Sequence, residues 1–205
     1  GLDPEYSVIG RVARRVWAKA LKLRYGGNER SQKLKYHIQT SGRSLHSQDI
    51  QLNDIRTTLQ ALCAIYDNCQ SLHTNSMDET WALPTEKAVL IALRTQQLIA
   101  EETGAASVID PLGGSYFVES LTDEVERLAW EYIERIDEIG GAVPAIEAGF
   151  QMDEIEQAAY EYTKSIDDDE RVIVGVNQFT MDDEPEPKVF PIDPELEGNQ
   201  IARLK

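Results

Sequence analysis

The sequence has few cysteines, few cations and no long apolar run. Its 205 residues include two cysteines, and 20 Lys and Arg residues stand against 36 Asp and Glu, which gives a formal net charge of −16. A polyanion would repel so acidic a chain, which argues against nucleic acid as a partner. No stretch approaches the roughly 18 apolar residues that span a membrane, and no secretory signal peptide is present. We therefore expect no membrane partner and a cytoplasmic location.

Several common kinds of site also have no counterpart in the sequence. There is no zinc-ligand spacing, nucleophile elbow, P-loop or dinucleotide fingerprint, and the three histidines are not spaced as ligands along one helix, so no metal site is predicted. Cys63 and Cys69 lie six residues apart around the end of a predicted helix, and we expect both thiols to be reduced. The chain has no starting methionine, which suggests a piece of a longer polypeptide.

Two polar stretches of similar composition organise the chain. Residues 35–46 and 69–79 each pass from a few apolar residues into a loop rich in Gln, Ser, Thr and His, and a helical segment at residues 49–68 separates them. An alternation of strand, polar loop and helix is the repeating unit of an α/β barrel or a doubly wound sheet. In such folds the polar residues at the strand ends face the ligand.

Apolar periodicity and capping residues predict the other elements. Helices are expected at residues 4–24, 49–68, 84–104, 122–139, 143–148 and 152–165. The β-branched run at residues 171–176 and the pair Val108 and Ile109 predict strands. The acidic, Pro-containing residues 182–196 predict an extended segment that lies on a surface.

Basic residues cluster before the first predicted strand of this acidic chain. The first helix has a basic face, which is either solvated or directed at an acidic partner domain or a phosphate ligand. Arg30, Lys33 and Lys35 flank the strand itself. Cations at the mouth of a barrel suit a phosphate-bearing ligand, and ordinary surface charge is the alternative.

Four longer motifs resemble the large-subunit barrel of the adenosylcobalamin-dependent acyl-CoA mutases, in the same order and over nearly the whole chain. They are Gln39-Thr40-Ser41-Gly42 with Ser44-Leu45, Gln70-Ser71-Leu72-His73-Thr74-Asn75 with Asp78-Glu79, Asp110-Pro111 to Gly114-Ser115-Tyr116, and Val174-Gly175-Val176-Asn177. The methylmalonyl-CoA branch of this family has Trp after the Ser-Gly pair, where this chain has Arg43. Residues 28–35 and 41–46 look more like the isobutyryl-CoA mutase branch.

The resemblance implies a helix-rich α/β fold. Residues 1–140 would form the C-terminal part of a (β/α)8 TIM barrel. Residues 141–205 would form a helical and strand extension that ends in the acidic, Pro-containing tail. The family's cobalt-ligating Asp-x-His-x-x-Gly motif is absent, so the cobalamin-binding domain would lie elsewhere on the polypeptide or on another chain.

The resemblance also implies roles for five side chains. Arg30 and Lys35 match positions that contact coenzyme A. Gln39, Gln70 and Glu79 match polar barrel-end positions beside the adenosyl group and the corrin. Glu79 would be catalytic, holding the ribose hydroxyls and steering the radical. Without the resemblance, Glu79 is a carboxylate that suits the positive end of the following helix.

The implied function is part of an adenosylcobalamin-dependent acyl-CoA mutase, which rearranges a carbon skeleton by a radical route, of the methylmalonyl-CoA/succinyl-CoA or isobutyryl-CoA/butyryl-CoA type. The implied partners are an acyl-CoA substrate, a cobalamin-binding domain or small subunit, a G-protein chaperone and further copies in an oligomer. The alternative is a non-catalytic truncated barrel that serves as an oligomerisation or chaperone-docking module. We expect residues 1–205 alone to be inactive.

Overall fold

The computed structural model describes residues 1–183 and 188–205. Within them the chain is a helix-rich α/β structure in which one small parallel sheet has two strands, β1 (His37–Gln39) and β2 (Ser71–His73). The helices are α1 (Ile9–Leu23), α2 (Leu52–Tyr66), α3 (Glu86–Glu102), α4 (Tyr116–Ile139), α5 (Ala142–Glu147), α6 (Phe150–Asp167) and α7 (Glu195–Leu204). Among these residues no helix combines the length and apolar composition that crossing a membrane requires.

The two strands pair in register, with His37 opposite Ser71 and Gln39 opposite His73. Because side chains alternate along a strand, the central residues Ile38 and Leu72 share one face. Leu72 packs on the core cluster of α2 and α3, which is built around Ala61 and Ile99. The helices therefore cover one face of the sheet and leave the other face open.

The basic face of α1 packs against the acidic face of α4. Val8 and Val12 form a buried cluster with Val118 of α4, and ion pairs surround this apolar contact. The pairs are Arg11–Asp110 (2.5 Å), Arg11–Glu119 (3.2 Å), Arg15–Asp123 (2.8 Å), Arg15–Glu126 (2.8 Å), Lys19–Glu126 and Arg24–Asp137 (2.7 Å). The basic face is thus directed at an acidic surface of the same chain.

Asp67 fixes the start of α1. Its carboxylate, which is fully buried, accepts hydrogen bonds from the backbone N–H groups of Gly10 (2.5 Å) and Arg11 (2.9 Å). These donors have no partner within the helix, so Asp67 caps α1 from a distant part of the sequence. Burial raises the pKa of Asp67 to about 6, although its hydrogen bonds and Arg14 act in the opposite direction.

The first helix is shorter than the sequence predicts. Residues Pro4–Ser7 form a separate 3₁₀ turn, and α1 begins at Ile9 after Val8. Helix α4, by contrast, begins at Tyr116, six residues before its predicted start. The side chain of Ser115 accepts a hydrogen bond from Val118 N and caps this earlier turn (3.4 Å).

The strand predicted at residues 171–176 is wrong. This segment forms a turn with one isolated bridge between Val174 and Gln178. Asn177 holds the turn, because its Oδ1 accepts from Ile173 N (2.7 Å) and its Nδ2 donates to Arg171 O (2.8 Å). A side chain therefore satisfies backbone groups that a neighbouring strand would otherwise pair.

The short strand predicted at Val108 and Ile109 is also wrong. These residues form a bend after a 3₁₀ turn, Ala105–Ser107, and Ile109 is 92% exposed. In the described part of the chain no strand lies beside them to complete a ladder. The predicted extended tail lies in part outside the described residues, at 184–187. Residues 188–194 have no regular structure, and residues 195 and 196 belong to α7, a helix the sequence analysis missed.

Helices α5 and α6 follow α4 with little separation. They confirm the helices predicted at residues 143–148 and 152–165. Helix α5 begins and ends one residue earlier than predicted, and α6 extends two residues beyond its prediction at each end. Helix α5 packs against both α4 and α6. The division of the chain at residue 140 stays a prediction.

Candidate functional site

The open face of the strand pair is polar. His37, Gln39, Ser71 and His73 point away from α2 and α3, and all four are exposed. His37 Nδ1 lies 2.7 Å from Ser71 Oγ, whereas Gln39 makes no side-chain hydrogen bond within residues 1–183 and 188–205. Amide, hydroxyl and imidazole groups on one surface can bind the polar groups of a ligand.

Buried polar groups join the C-terminal ends of the two strands. Thr40, directly after β1, donates through Oγ1 to Asn75 Oδ1 (2.6 Å), and Asn75 N donates back to Thr40 Oγ1 (2.9 Å). Asn75 Nδ2 then donates to Glu79 Oε2 (2.5 Å). Both Thr40 and Asn75 are buried, so this network fixes the position of the Glu79 carboxylate relative to β1.

Glu79 sits in the 3₁₀ turn Met77–Thr80 that follows β2, and it is partly exposed. Its Oε1 accepts from Ser76 N (2.8 Å), which completes a cap at the start of this turn. This cap belongs to the 3₁₀ turn itself, whereas the start of α3 is capped by Thr85. A carboxylate has about four lone-pair sites, so two hydrogen bonds still leave Glu79 able to accept from a ligand hydroxyl.

The residues expected to contact coenzyme A lie at the N-terminal end of the strands, opposite Glu79. Arg30 and Lys35 belong to the loop that precedes β1, and both are exposed. Trp17 ties this loop to α1 by donating from Nε1 to Ser31 O (2.9 Å). Neither cation forms an ion pair or a side-chain hydrogen bond with any of the described residues, so both remain available to an anionic ligand.

Gln70 lies at the N-terminal end of β2, next to Tyr36. Its Oε1 accepts from Tyr36 N (2.9 Å) and its Nε2 donates to Asn68 O (2.8 Å). Gln70 and Gln39 are three positions apart along the paired strands, which corresponds to about 10 Å. The structure therefore brings Gln39 and Glu79 to one end of the sheet and leaves Gln70, Arg30 and Lys35 at the other.

The sequence analysis did not assign roles to Thr40 and Asn75. The sequence contained a signal for both. Thr40 directly follows the last residue of β1, and Asn75 lies two positions after the last residue of β2, in two motifs of similar composition. Among the described residues no group of three or more His, Cys, Asp and Glu side chains could hold a metal ion. The arrangement can bind polar and anionic groups by hydrogen bonds and charge.

Two parallel strands with their helices, an open polar face and distinct groups at each end are the features of this segment of a helix-rich α/β protein. The sequence profile described as methylmalonyl-CoA mutase matches residues 9–205. The chain belongs to the methylmalonyl-CoA mutase family, and this confirms the resemblance found in its motifs.

Three relatives illustrate the similarity. A fused isobutyryl-CoA mutase of Geobacillus kaustophilus (strain HTA426) is 52% identical over 203 residues, which are 99% of this chain and 18% of that protein. The 2-hydroxyisobutanoyl-CoA mutase large subunit of Aquincola tertiaricarbonis is 43% identical over 197 residues, 95% of this chain and 35% of that protein. The methylmalonyl-CoA mutase of Escherichia coli (strain K12) is 45% identical over 196 residues, 95% of this chain and 28% of that protein.

Proposed function

We propose that this chain is part of an adenosylcobalamin-dependent acyl-CoA mutase, an isomerase that rearranges the carbon skeleton of its substrate by a radical route. The observation that carries the proposal is family membership over residues 9–205. The chain spans less than a fifth of the fused isobutyryl-CoA mutase it matches, so the activity would belong to a longer assembly. Within it, β1 and β2 would be two strands of a (β/α)8 barrel, with their open face toward its axis.

The positions of the exposed groups support a division of labour along the strands. Arg30 and Lys35 would hold the phosphates of coenzyme A at the N-terminal end, because cations without protein partners suit phosphate oxygens. Gln39 and Glu79 would face the cofactor at the C-terminal end. The acyl group would then lie between the two ends, along the polar face.

The residues at the C-terminal end fit the polar periphery of adenosylcobalamin. The free amide of Gln39 can pair with propionamide groups, and the fixed carboxylate of Glu79 can accept from ribose hydroxyls. When bound, the cofactor supplies the radical chemistry. This chain would orient the adenosyl group and help to exclude water. The cofactor contact proposed for Gln70 stays a prediction, and its two backbone hydrogen bonds favour a structural role at the start of the strands.

The remaining partners follow from the proposal. A cobalamin-binding domain or small subunit would supply the cobalt ligand. A G-protein chaperone and an oligomeric state stay predictions, as does the cytoplasmic location. Exposed polar groups on an open sheet face cannot enclose a radical, so residues 1–205 alone should be inactive.

A mutase assay of the complete polypeptide tests the proposal. The protein is supplied with adenosylcobalamin and, in separate reactions, methylmalonyl-CoA and isobutyryl-CoA, and the products are separated by chromatography. We expect the rearranged acyl-CoA from one of the two substrates. Tight binding of a chaperone or a second copy, with no turnover of either substrate, would instead support the non-catalytic docking module.

A further inference from the structure

A cationic cavity lies beside the loop that follows β1, between that loop, α6 and the turn at residues 171–174. Its volume is about 620 Å³, which is in the range of small-molecule sites. Three guanidinium groups line it, from Arg43, Arg56 and Arg171, against the single carboxylate of Asp3. The cavity lining therefore has a local excess of positive charge, although the chain as a whole has a net charge of −16.

The three guanidinium groups differ in the partners that they already have. Arg171 pairs with Asp3 (2.6 Å). Arg56 is buried and donates to Asn53 Oδ1 (2.9 Å) and to Val174 O (2.7 Å). Arg43 forms no ion pair within residues 1–183 and 188–205. Of the three guanidinium groups, that of Arg43 alone has neither an ion pair nor a hydrogen bond among the described residues, so its N–H donors remain available to a ligand.

Tyr162 of α6 holds two of these cations close together. The guanidinium carbon of Arg43 lies 5.4 Å from the centre of the Tyr162 ring, and that of Arg171 lies 4.8 Å from it. Cation–π attraction orients both groups, but it does not cancel the repulsion between them. An oxyanion beside the ring would attract both guanidinium groups and relieve that repulsion.

Part of the cavity lining is apolar. Ile155, Ala158 and Ala159 line it from α6, and Val172 lines it from the turn. His46 also lines the cavity, and burial and the nearby Arg56 lower its pKa, which disfavours the charged form of its imidazole. The cavity thus combines the guanidinium group of Arg43 with aliphatic side chains.

We infer that this cavity binds a small carboxylate with a short alkyl chain, its carboxylate on Arg43 and its chain against α6. The inference is independent of the mutase proposal, because it rests on the charges and shape of the cavity and its test measures binding.

Equilibrium dialysis of the complete protein, in its cofactor-free form, against radiolabelled hexanoate and acetate tests the inference. We expect saturable binding of hexanoate that is tighter than that of acetate, because only hexanoate reaches the apolar wall. Arg43→Gln should weaken hexanoate binding about tenfold, the scale of a charge-assisted hydrogen bond. The affinity of the unchanged protein should fall with added KCl.

Two further variants separate a lost site from a lost fold. Arg94→Gln removes an exposed cation on α3, far along the chain from the cavity lining, and should leave hexanoate binding unchanged. Ala159→Trp fills the apolar side without changing any charge and should weaken hexanoate more than acetate. Circular dichroism checks that each variant is folded.

Three results would overturn the inference. The first is the absence of saturable binding to the unchanged protein. The second is equal affinity of Arg43→Gln and the unchanged protein for hexanoate. The third is complete displacement of hexanoate by adenosylcobalamin, which would make the cavity part of the cofactor surface and no separate site.

Discussion

Two regions of the molecule use arginine and lysine in different ways. At the contact between α1 and α4, three cations of α1 and one directly after it meet carboxylates of the same chain within hydrogen-bonding distance. They are Arg11, Arg15, Lys19 and Arg24. In the loop before β1, Arg30 and Lys35 are exposed, and no carboxylate among the described residues pairs with them.

The difference separates charges that stabilise the fold from charges that have no partner among the described residues. The ion pairs of α1 surround a buried apolar cluster and help to fix one helix on another. Arg30 and Lys35 make no ion pair or side-chain hydrogen bond within residues 1–183 and 188–205. Since both sets are basic residues in an acidic sequence, only their partners distinguish them, and changes in each set should affect different measurements.

The largest effect on the fold should come from Asp67→Ala. This change leaves the buried N–H of Gly10 and the partly buried N–H of Arg11 without acceptors, at a cost of about 3 kcal/mol. Hydrogen exchange of the α1 amides in the complete protein should show protection lowered about a hundredfold. Protection that stays at the unchanged level would mean that Asp67 does not cap α1.

The charge of Asp67 should also make α1 sensitive to pH. Its pKa is about 6 in the fold, against an ordinary value of 3.8. Because the folded state holds this proton more tightly than the unfolded state, its contribution to stability is complete below about pH 4 and is lost as the pH rises through 6. The loss is at most about 3 kcal/mol. Protection of α1 relative to Asp67→Asn, corrected for intrinsic exchange rates, should therefore fall between pH 4 and 6.5.

Arg30→Ala should weaken the binding of acyl-CoA to the complete protein by about 1–3 kcal/mol, because a charge-assisted hydrogen bond to phosphate is lost. Isothermal titration measures the change, and α1 protection should not move. If Arg30 holds the ribose phosphate, the difference in affinity between the variant and the unchanged protein should be smaller for dephospho-coenzyme A derivatives. Arg94→Ala, on α3, is the matched control. Equal affinity of the Arg30 variant for every derivative would leave Arg30 as a surface charge.

Glu79→Gln should lower kcat about tenfold, the effect of losing about 1.4 kcal/mol of transition-state stabilisation. The amide oxygen of Gln can still accept from Ser76 N, so the cap and the acyl-CoA affinity should change little, although the amide NH2 can no longer accept from Asn75 Nδ2. Stopped-flow measurement of cobalt–carbon cleavage gives the rate directly. Normal cleavage and normal turnover in this variant would limit Glu79 to its capping role.

The smallest effect should come from Arg24→Gln at the edge of the α1–α4 contact. Arg24 and Asp137 are both exposed, and an exposed ion pair contributes under about 1 kcal/mol. Protection of α1 and mutase activity should both stay close to their original values. A loss as large as that of Asp67→Ala would show that the peripheral pairs hold the two helices together.

Much of the helical structure could be predicted from the sequence. Apolar spacing and capping residues gave the positions of α2, α3, α5 and α6 to within a few residues, because helical hydrogen bonds and apolar stripes are local. The two polar stretches predicted β1 and β2, because strand, polar loop and helix alternate along the chain in an α/β fold. The strand predicted at residues 171–176 is wrong, because a β-branched run forms a strand only where another strand pairs with it. Here the side chain of Asn177 forms hydrogen bonds with the backbone groups that a neighbouring strand would have paired.

For the candidate site, the sequence determined which residue types stand at the strand ends. Through the family motifs it also indicated four candidate site residues, Arg30, Lys35, Gln39 and Glu79. It could not determine that Gln70 lies at the other end of the sheet from Gln39, since this depends on where β2 begins in the register of the pair. The network from Thr40 through Asn75 to Glu79 likewise joins residues 39 positions apart, and no local pattern specifies such a contact.

Composition alone determined that the chain is acidic and has a basic island at its start. Only the tertiary structure decided which of those cations are neutralised, because pairing depends on the approach of α4, more than 90 residues later in the chain. The same holds for Asp67, whose sequence position at a helix end gives no sign that it caps a different helix. Local interactions set the elements, and long-range packing set which polar groups remain free to bind a ligand.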